Sequence, residues 1–520
     1  MNHRSAIQVL VVGAGPTGLT LACDLARRGV RYRIIDAAAE HFSGSRAKGL
    51  MPRTLEVFDD LGVVRAVLAS GGPFPPFRGY RGETVLRDRN IYEMAGFPRL
   101  DPTPDVPYPE FWMVPQWRTG EILRDRLAGM GGRVELGAGL THFTQDDEGV
   151  TATLTHPGGT EQVRADYMVG ADGGRSFVRK SLGVGFLGET EESDRSIIAD
   201  VRADGPDREH WHMWTNPAAP SNRVSLCPLP ETEVFQFVAP VAADEVPDLS
   251  LGALQKIFDD RSGRTDVRLH DLSWATIYRV NVRMSDRFRV GRVFLAGDAA
   301  HVHSPAGGQG LNTGIQDAYN LGWKLAATLA GAPARLLDSY EDERLPIAAS
   351  VLGFSTQLHR RGFKGQPAAA APALDHDVHQ LKLNYRGGPL SRDERATPGG
   401  VQAGDRAPDA HVQDANGAPA RLFDILRGPH FTMLALGGES AATAARINER
   451  HGPLVRAYQV VRPGSSTGSD CLIDVDGTIH SGYGGHGATI VLVRPDGYLG
   501  LVTHSGTADR VSDYLRLVAP

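Results

Sequence analysis

Cysteine is nearly missing from this chain. The three cysteines among 520 residues, Cys23, Cys227 and Cys471, lie far apart, with no CxxC and no pair at ligand spacing. That excludes a disulfide scaffold, a structural zinc finger and a dithiol redox centre. Long hydrophobic runs are missing too: no stretch approaches the roughly 20 apolar residues that span a bilayer. Glycines interrupt the apolar start at Ala6–Asp24, which argues against a signal peptide. Charge of one sign is also not in excess. Lys and Arg number 55 against 61 Asp and Glu, a net of −6, so there is no basic footprint for nucleic acid or an anionic membrane. These absences predict a cytoplasmic protein with no nucleic-acid and no membrane partner.

What the chain has in quantity is glycine, 61 residues, and proline, 33, within an ordinary globular composition of 41% hydrophobic and 22% charged residues. Its length suits several domains of about 100–200 residues each. The apolar runs and their punctuation predict a strand at Ile7–Val12, a helix from Thr17 and a returning strand at Tyr32–Ile35. Between Gly71 and Pro109 the periodicity disappears under Gly and Pro, which predicts a loop or lid. A strand-rich stretch from about Phe186 to Asp286 predicts a sheet inserted into an α/β domain. The Pro367–Pro372 run predicts loosened structure, and Arg386–Asp409, rich in Gly, Pro and charge, predicts a linker. The expected organisation is a discontinuous α/β domain over 1–75, 110–185 and 286–385. A mainly antiparallel substrate sheet and lid would occupy 76–109 and 186–285, followed by the linker at 386–409 and a small α/β domain at 410–520.

Three glycine-rich turns carry the chemistry. The first, Gly13-Ala14-Gly15-Pro16-Thr17-Gly18, is a GxGxxG between a strand and a helix. Glycine there permits the tight turn, approach of a pyrophosphate to bare backbone, and close helix–strand contact; the helix N-terminus adds free N–H groups. Asp36 closes the second strand, where a carboxylate accepts from adenosine ribose hydroxyls. This motif alone leaves FAD and NAD open. The second turn is Val169-Gly170-Ala171-Asp172-Gly173-Gly174-Arg175-Ser176. The third runs from Val293 through Gly297-Asp298 and Pro305 to Gly307-Gly308-Gln309-Gly310-Leu311-Asn312. Asp298, at a strand's carboxyl end, can accept from a polyol hydroxyl, and the helix that follows offers backbone donors to an electron-rich ring edge.

With a strand-rich insert between the second and third turns, residues 6–360 resemble the single-component FAD-dependent aromatic hydroxylases of the p-hydroxybenzoate and phenol hydroxylase type. The C-terminal unit makes the chain most similar to polyketide-tailoring hydroxylases, in which a thioredoxin-like domain without redox cysteines follows the catalytic part. The resemblance implies a Rossmann-like FAD-binding domain with an inserted antiparallel sheet. It further implies that Gly13, Gly15, Pro16, Thr17 and Gly18 cradle the FAD pyrophosphate and Asp36 holds the ribose. Ser45 and Arg46 match the segment reaching the flavin, and Gln116 a glutamine on the cofactor. Leu140 would meet the adenine through its backbone only. Asp172 and Gly173 match a motif credited with both FAD and NAD(P)H. Gly297 and Asp298 would serve the ribityl chain, and Gly308, Gly310 and the backbone of Leu311 and Asn312 the isoalloxazine. Arg46 and Pro305 are the candidate catalytic residues beside flavin and substrate. Two positions depart from the pattern. Gly120 stands where the family often has an acid. Lys48 stands where phenol hydroxylases can carry one, so no proton-relay residue is assigned there.

The implied activity is hydroxylation of a phenolic or polycyclic aromatic substrate with O2 and NAD(P)H, through a flavin C4a-hydroperoxide in a site kept free of water. Baeyer–Villiger or epoxidising chemistry on the same scaffold is the alternative. A catalytically idle, flavin-binding assembly subunit is the alternative of another class. His212 and Trp214, with Phe235 and Phe237, are the candidate substrate-lining residues, although Trp211 and Met213 share the opposite face of the same strand. His301 and His303 beside Asp298 could be read as a metal site. The loop is already committed to flavin, so no metal is assigned. Arg53 and Asp317 are read as structural. The partners expected are a small aromatic substrate and, at an order the sequence leaves open, copies of the same chain.

Overall fold

The computed structural model describes residues 7–216, 219–305, 307–363, 377–437, 440–465, 468–484 and 487–519. Pro367–Pro372 and Ala306 lie outside them. The apolar run Ile7–Val12 is a central strand, paired in parallel with Tyr32–Asp36 on one side and Gly159–Gly170 on the other. Val293–Leu295 and Val134–Leu136 continue the sheet outward. The strand pair Gly139–Gln145 and Val150–His156 joins it antiparallel along the first half of Gly159–Gly170. The helix Pro16–Arg27 starts on a proline, whose missing N–H costs nothing at that position. It buries Leu19, Leu21, Ala22 and Leu25 in the core. The long helix Gln309–Leu329 packs beside it, close because Gly314 and Gly322 face Thr17 and Asp24; a Cβ on Gly322 would stand 2.2 Å from the Asp24 carboxylate.

The inserted sheet has eight strands. Arg268–Ser285, Phe186–Asp204, Phe235–Val241, Ala219–Pro228 and Trp211–Asn216 pair antiparallel in that order. Phe77–Arg81 and Thr84–Arg89, from the stretch read as loop or lid, extend it at one edge. One face is covered by the helix Leu251–Ser262, capped by Ser250 at its start and by Gly263, at φ +69°, at its end. Its Leu254 and Phe258 pack with Ile197, Leu226, Phe237 and Trp214. The other face looks into the molecule's interior cavity.

The C-terminal sheet mixes parallel and antiparallel pairs around Phe431–Leu436 and Thr489–Val493, with apolar clusters on both faces in a thioredoxin-like arrangement. Its Cys471, like Cys23 and Cys227, is buried and free. The segment 386–409 is no loose linker. Arg392–Asp393 pairs in parallel with Leu499–Thr503. Arg395 donates to Asp393 and to the carbonyls of Gly399 and Val401, and Arg406 is buried against Glu56 across to the first domain. Arg53, read as structural, donates to Glu56 and to the carbonyl of Asp496. Among the described residues no helix is long and apolar enough to cross a membrane.

Candidate functional site

The three glycine-rich turns and the open face of the inserted sheet border one continuous cavity of about 2130 Å3. Gly13, Gly15, Pro16, Thr17, Asp36, Gln116, Leu140, Asp172 and Gly173 line it beside the first two turns. Arg46, Asp298, Pro305, Gly308, Gly310 and Leu311 line its middle. The three glycines of the first turn do different work. Gly13, at φ +104°, lies so close to the second turn that a Cβ would stand 2.3 Å from the Ala171 carbonyl oxygen. Gly18 lies against Gly13 itself, with a Cβ position 2.0 Å from its oxygen. Gly15 faces open space: nothing lies within 4 Å of a Cβ there. Gly173, at φ +78°, is equally open. Bare backbone, a helix N-terminus and an unfilled cradle suit a pyrophosphate.

The carboxylates around the cradle are positioned by backbone and side-chain donors. Asp36 accepts from the amides of Ala14 and Ala38, each at 2.9 Å. Asp172 accepts from the Ser176 hydroxyl at 2.5 Å and the Val178 amide at 3.1 Å. Gln116 accepts from the Ala47 amide at 3.1 Å, tying its helix to the 43–49 segment. The side chain of Asp298 is open to the cavity yet deep in the fold. That enclosure pushes its carboxyl up, while His301 and Arg46 pull it down less strongly. Arg46 is exposed, with its guanidinium over the ring of Phe42.

Among the expected cofactor residues, Gly18, Gly297, Ser45 and the side chain of Asn312 lie off the cavity. Gly18 is the packing glycine just described. Gly297 is buried where a Cβ would stand 2.5 Å from the Thr17 hydroxyl, and its amide donates to Asp317. Ser45 is buried, and its carbonyl accepts from Gln236. Asn312 uses its side chain as a clamp, accepting from the Met51 amide and donating to the carbonyls of Gly49 and Gly308. His301 and His303 bond to one another at 2.9 Å, and His301 reaches Asp317 at 2.6 Å, which also accepts from Arg344.

The substrate-wall assignment is corrected by the structure. His212, Trp214, Phe235 and Phe237 face the helix Leu251–Ser262, in the core of the inserted domain. There Trp214 stacks on Tyr80 at 4.8 Å, and His212 bonds to the Tyr80 hydroxyl and the Asp207 carbonyl. The cavity face carries the intervening residues: Trp211, Met213, Gln236 and Val238, with Lys48 above them. The physical reason is the period of two along a strand: the bulk that packs the helix and the residues that meet a ligand are neighbours in sequence. Trp214→Ala is therefore expected to cost about 3–5 kcal/mol of stability, as for a fully buried tryptophan. Trp211→Ala should chiefly raise KM for an aromatic substrate. Urea unfolding and KM measured on both variants would decide; a Trp214 variant of unchanged stability with a raised KM would restore the original assignment.

Residues 6–355 match the family described as FAD binding domain. The chain belongs to that family. A flavin-dependent monooxygenase of Mycobacteroides abscessus is 51% identical over 98% of this chain and 99% of that protein. The 6-methylpretetramide 4-monooxygenase of Streptomyces rimosus is 35% identical over 95% of this chain and 90% of that one. Among solved structures, a ternary complex of aklavinone-11 hydroxylase with FAD and aklavinone superposes with a TM-score of 0.85 at 29% identity, covering 100% of this chain and 99% of that one. Residues 404–517 match the family described as HcaD C-terminal domain.

Proposed function

We propose that this monooxygenase hydroxylates a phenolic, polycyclic aromatic substrate of polyketide type in the cytoplasm, with O2 and NAD(P)H as co-substrates. The observation that carries the reading is the continuity of the cavity. One continuous space joins a dinucleotide cradle to an aromatic wall, so a ring system held against Trp211 and Phe77, themselves stacked at 4.4 Å, would share a compartment with the cofactor's ring end. The relatives support the substrate class, since two of them are named for tetracyclic or anthracyclic aromatic compounds.

FAD, when bound, supplies the two-electron exchange with NAD(P)H and the activation of O2. The chain's residues then have three tasks. Gly13, Gly15 and the N-terminus of Pro16–Arg27 hold the pyrophosphate, with Asp36 at the ribose and Asp298 at the polyol. Residues 307–311 face the ring end with backbone donors, because the long helix begins at Gln309. The sheet face and Phe74, Phe77 and Phe111 exclude water and orient the aromatic substrate.

The test is anaerobic reduction of the purified protein by NADPH, with and without a panel of phenols and aromatic polyketides. Bleaching of the flavin absorbance accelerated by a polycyclic phenol, followed by a product heavier by one oxygen on the ring, is the expected result. Ring insertion next to a ketone would favour Baeyer–Villiger chemistry instead. Bound flavin that no condition reduces would make the protein an idle flavin-binding subunit.

A further inference from the structure

Lys48 is the feature of the cavity that the functional reading leaves unused. Its ammonium nitrogen lies over the ring of Trp211, 4.1 Å from the centroid, and donates to the side-chain oxygen of Gln236. Gln236 is fixed in that orientation because its amide nitrogen donates to the Ser45 carbonyl. The lysine backbone is fixed as well, its carbonyl accepting from the Val114 amide at 2.8 Å. A side chain so held points one proton-bearing group at the aromatic wall. Its polar partner among the described residues is a neutral amide, which accepts equally from an amine or an ammonium.

We propose that Lys48 is the acid–base group that ionises the ring hydroxyl of the substrate. The substrate O–H bond breaks with its electron pair left on oxygen, the proton forms the ammonium of Lys48, and the phenolate so made is the electron-rich ring that oxygen attacks. The same proton returns when the hydroxylated product leaves.

Three observations support this. Burial holds the Lys48 ammonium below its ordinary range, against weaker opposing pulls from Cys227 and Asp200. Cys227 lies on the neighbouring strand, itself pushed up to about 11 by burial and so neutral. Asp200 stands opposite Gln236 in register, and burial pushes its carboxyl up to about 6 against weaker opposing pulls from Ser45 and Lys48. Near neutral pH it is mostly ionised, and so supplies a counter-charge once Lys48 has taken the substrate proton. Beyond Cys227 lies Arg208, and Arg46 lies on the lysine's own segment. Third, the other basic groups on the cavity suit the role poorly. Arginines do not release a proton, His41 sits beside Asp36 at the nucleotide end, and His303 is bonded to His301.

The inference rests on the proposed hydroxylase reading and is tested separately from it. Alizarin, a dihydroxyanthraquinone whose colour reports its ionisation, is titrated with pH while bound to the FAD-loaded protein, in wild type, Lys48→Met and Lys48→Arg. Flavin content certifies that each variant is folded. In wild type the bound dye should ionise at least about one pH unit below the free dye. Lys48→Met should abolish that shift and lower kcat on the order of a hundredfold or more, the usual range for losing a general acid–base group. Lys48→Arg should keep the dye ionised yet leave turnover low. An unchanged dye midpoint in Lys48→Met, or full turnover in Lys48→Arg, overturns the proposal alone. Failure of the dye to bind wild type counts against the hydroxylase reading as well.

Discussion

Replacing Gly15 with valine is expected to leave the chain folded and to empty it of FAD. Gly15 precedes the helix Pro16–Arg27 at φ −70° and ψ 176°, extended backbone that any residue adopts. A Cβ there meets no protein atom within 4 Å, and the residue lines the cavity. It would stand where the pyrophosphate needs bare backbone at a helix N-terminus. The affinity for FAD should fall on the order of a hundredfold or more, about 2.7 kcal/mol. Gly13→Ala and Gly18→Ala should behave differently. Their Cβ positions fall 2.3 Å and 2.0 Å from backbone oxygens, so they should lose the fold before they lose the ligand. Flavin fluorescence titration, with urea unfolding of the FAD-free proteins, separates the two cases. A Gly15→Val protein that still purifies with flavin would place the pyrophosphate elsewhere.

That contrast shows what was readable in the sequence. The first strand–helix–strand unit was legible because its apolar runs and its glycines agree: Val9–Val12 is apolar throughout, and the turn after it could hardly be built otherwise. The separate duties of the three glycines were not legible, since each depends on which backbone lies opposite. The inserted sheet shows the same limit. The alternation Phe235-Gln236-Phe237 says that two faces differ, but not which one meets the helix Leu251–Ser262. The structure gives the aromatic bulk to the helix and the polar Gln236 to the cavity. A lone amide between two buried aromatics was the available signal. The segment 386–409 misled by composition. Its arginines look solvated in the sequence, but Arg395 and Arg406 are buried on partners, one of them Glu56, far away along the chain. Long-range pairing of charges leaves no periodic trace.

Glu343→Ala is expected to produce the largest loss of stability, about 3–5 kcal/mol, the cost of leaving buried cations without their counter-charge. Glu343 lies on the helix Asp338–Phe363 and is fully buried where the first domain meets the C-terminal one. It accepts from Lys324 at 2.7 Å, from Asn320 at 2.8 Å, and from both terminal nitrogens of Arg494 at 2.6 and 2.9 Å. Arg494 comes from the turn before Leu499–Thr503, and its neighbour Asp496 accepts from the Trp323 indole. Burial alone would raise the Glu343 carboxyl; Arg494 and Lys324 outweigh it and hold the group ionised. The Lys324 ammonium is pushed down to about 8 by burial even with Glu343 beside it. Without Glu343 that lysine can shed its proton, but Arg494 cannot. Its remaining carboxylate would be Asp496, on its own turn, and one of the charged links between the first domain and the C-terminal one would be lost. Two measurements test this: the urea unfolding midpoint, and the rate at which a protease releases the C-terminal domain. The double variant Glu343→Met with Lys324→Met should recover part of the loss, because an apolar pair of similar volume needs no counter-charge. A single variant within 1 kcal/mol of wild type (about a fivefold change in the unfolding equilibrium) would mean that water enters the interface and screens the cluster.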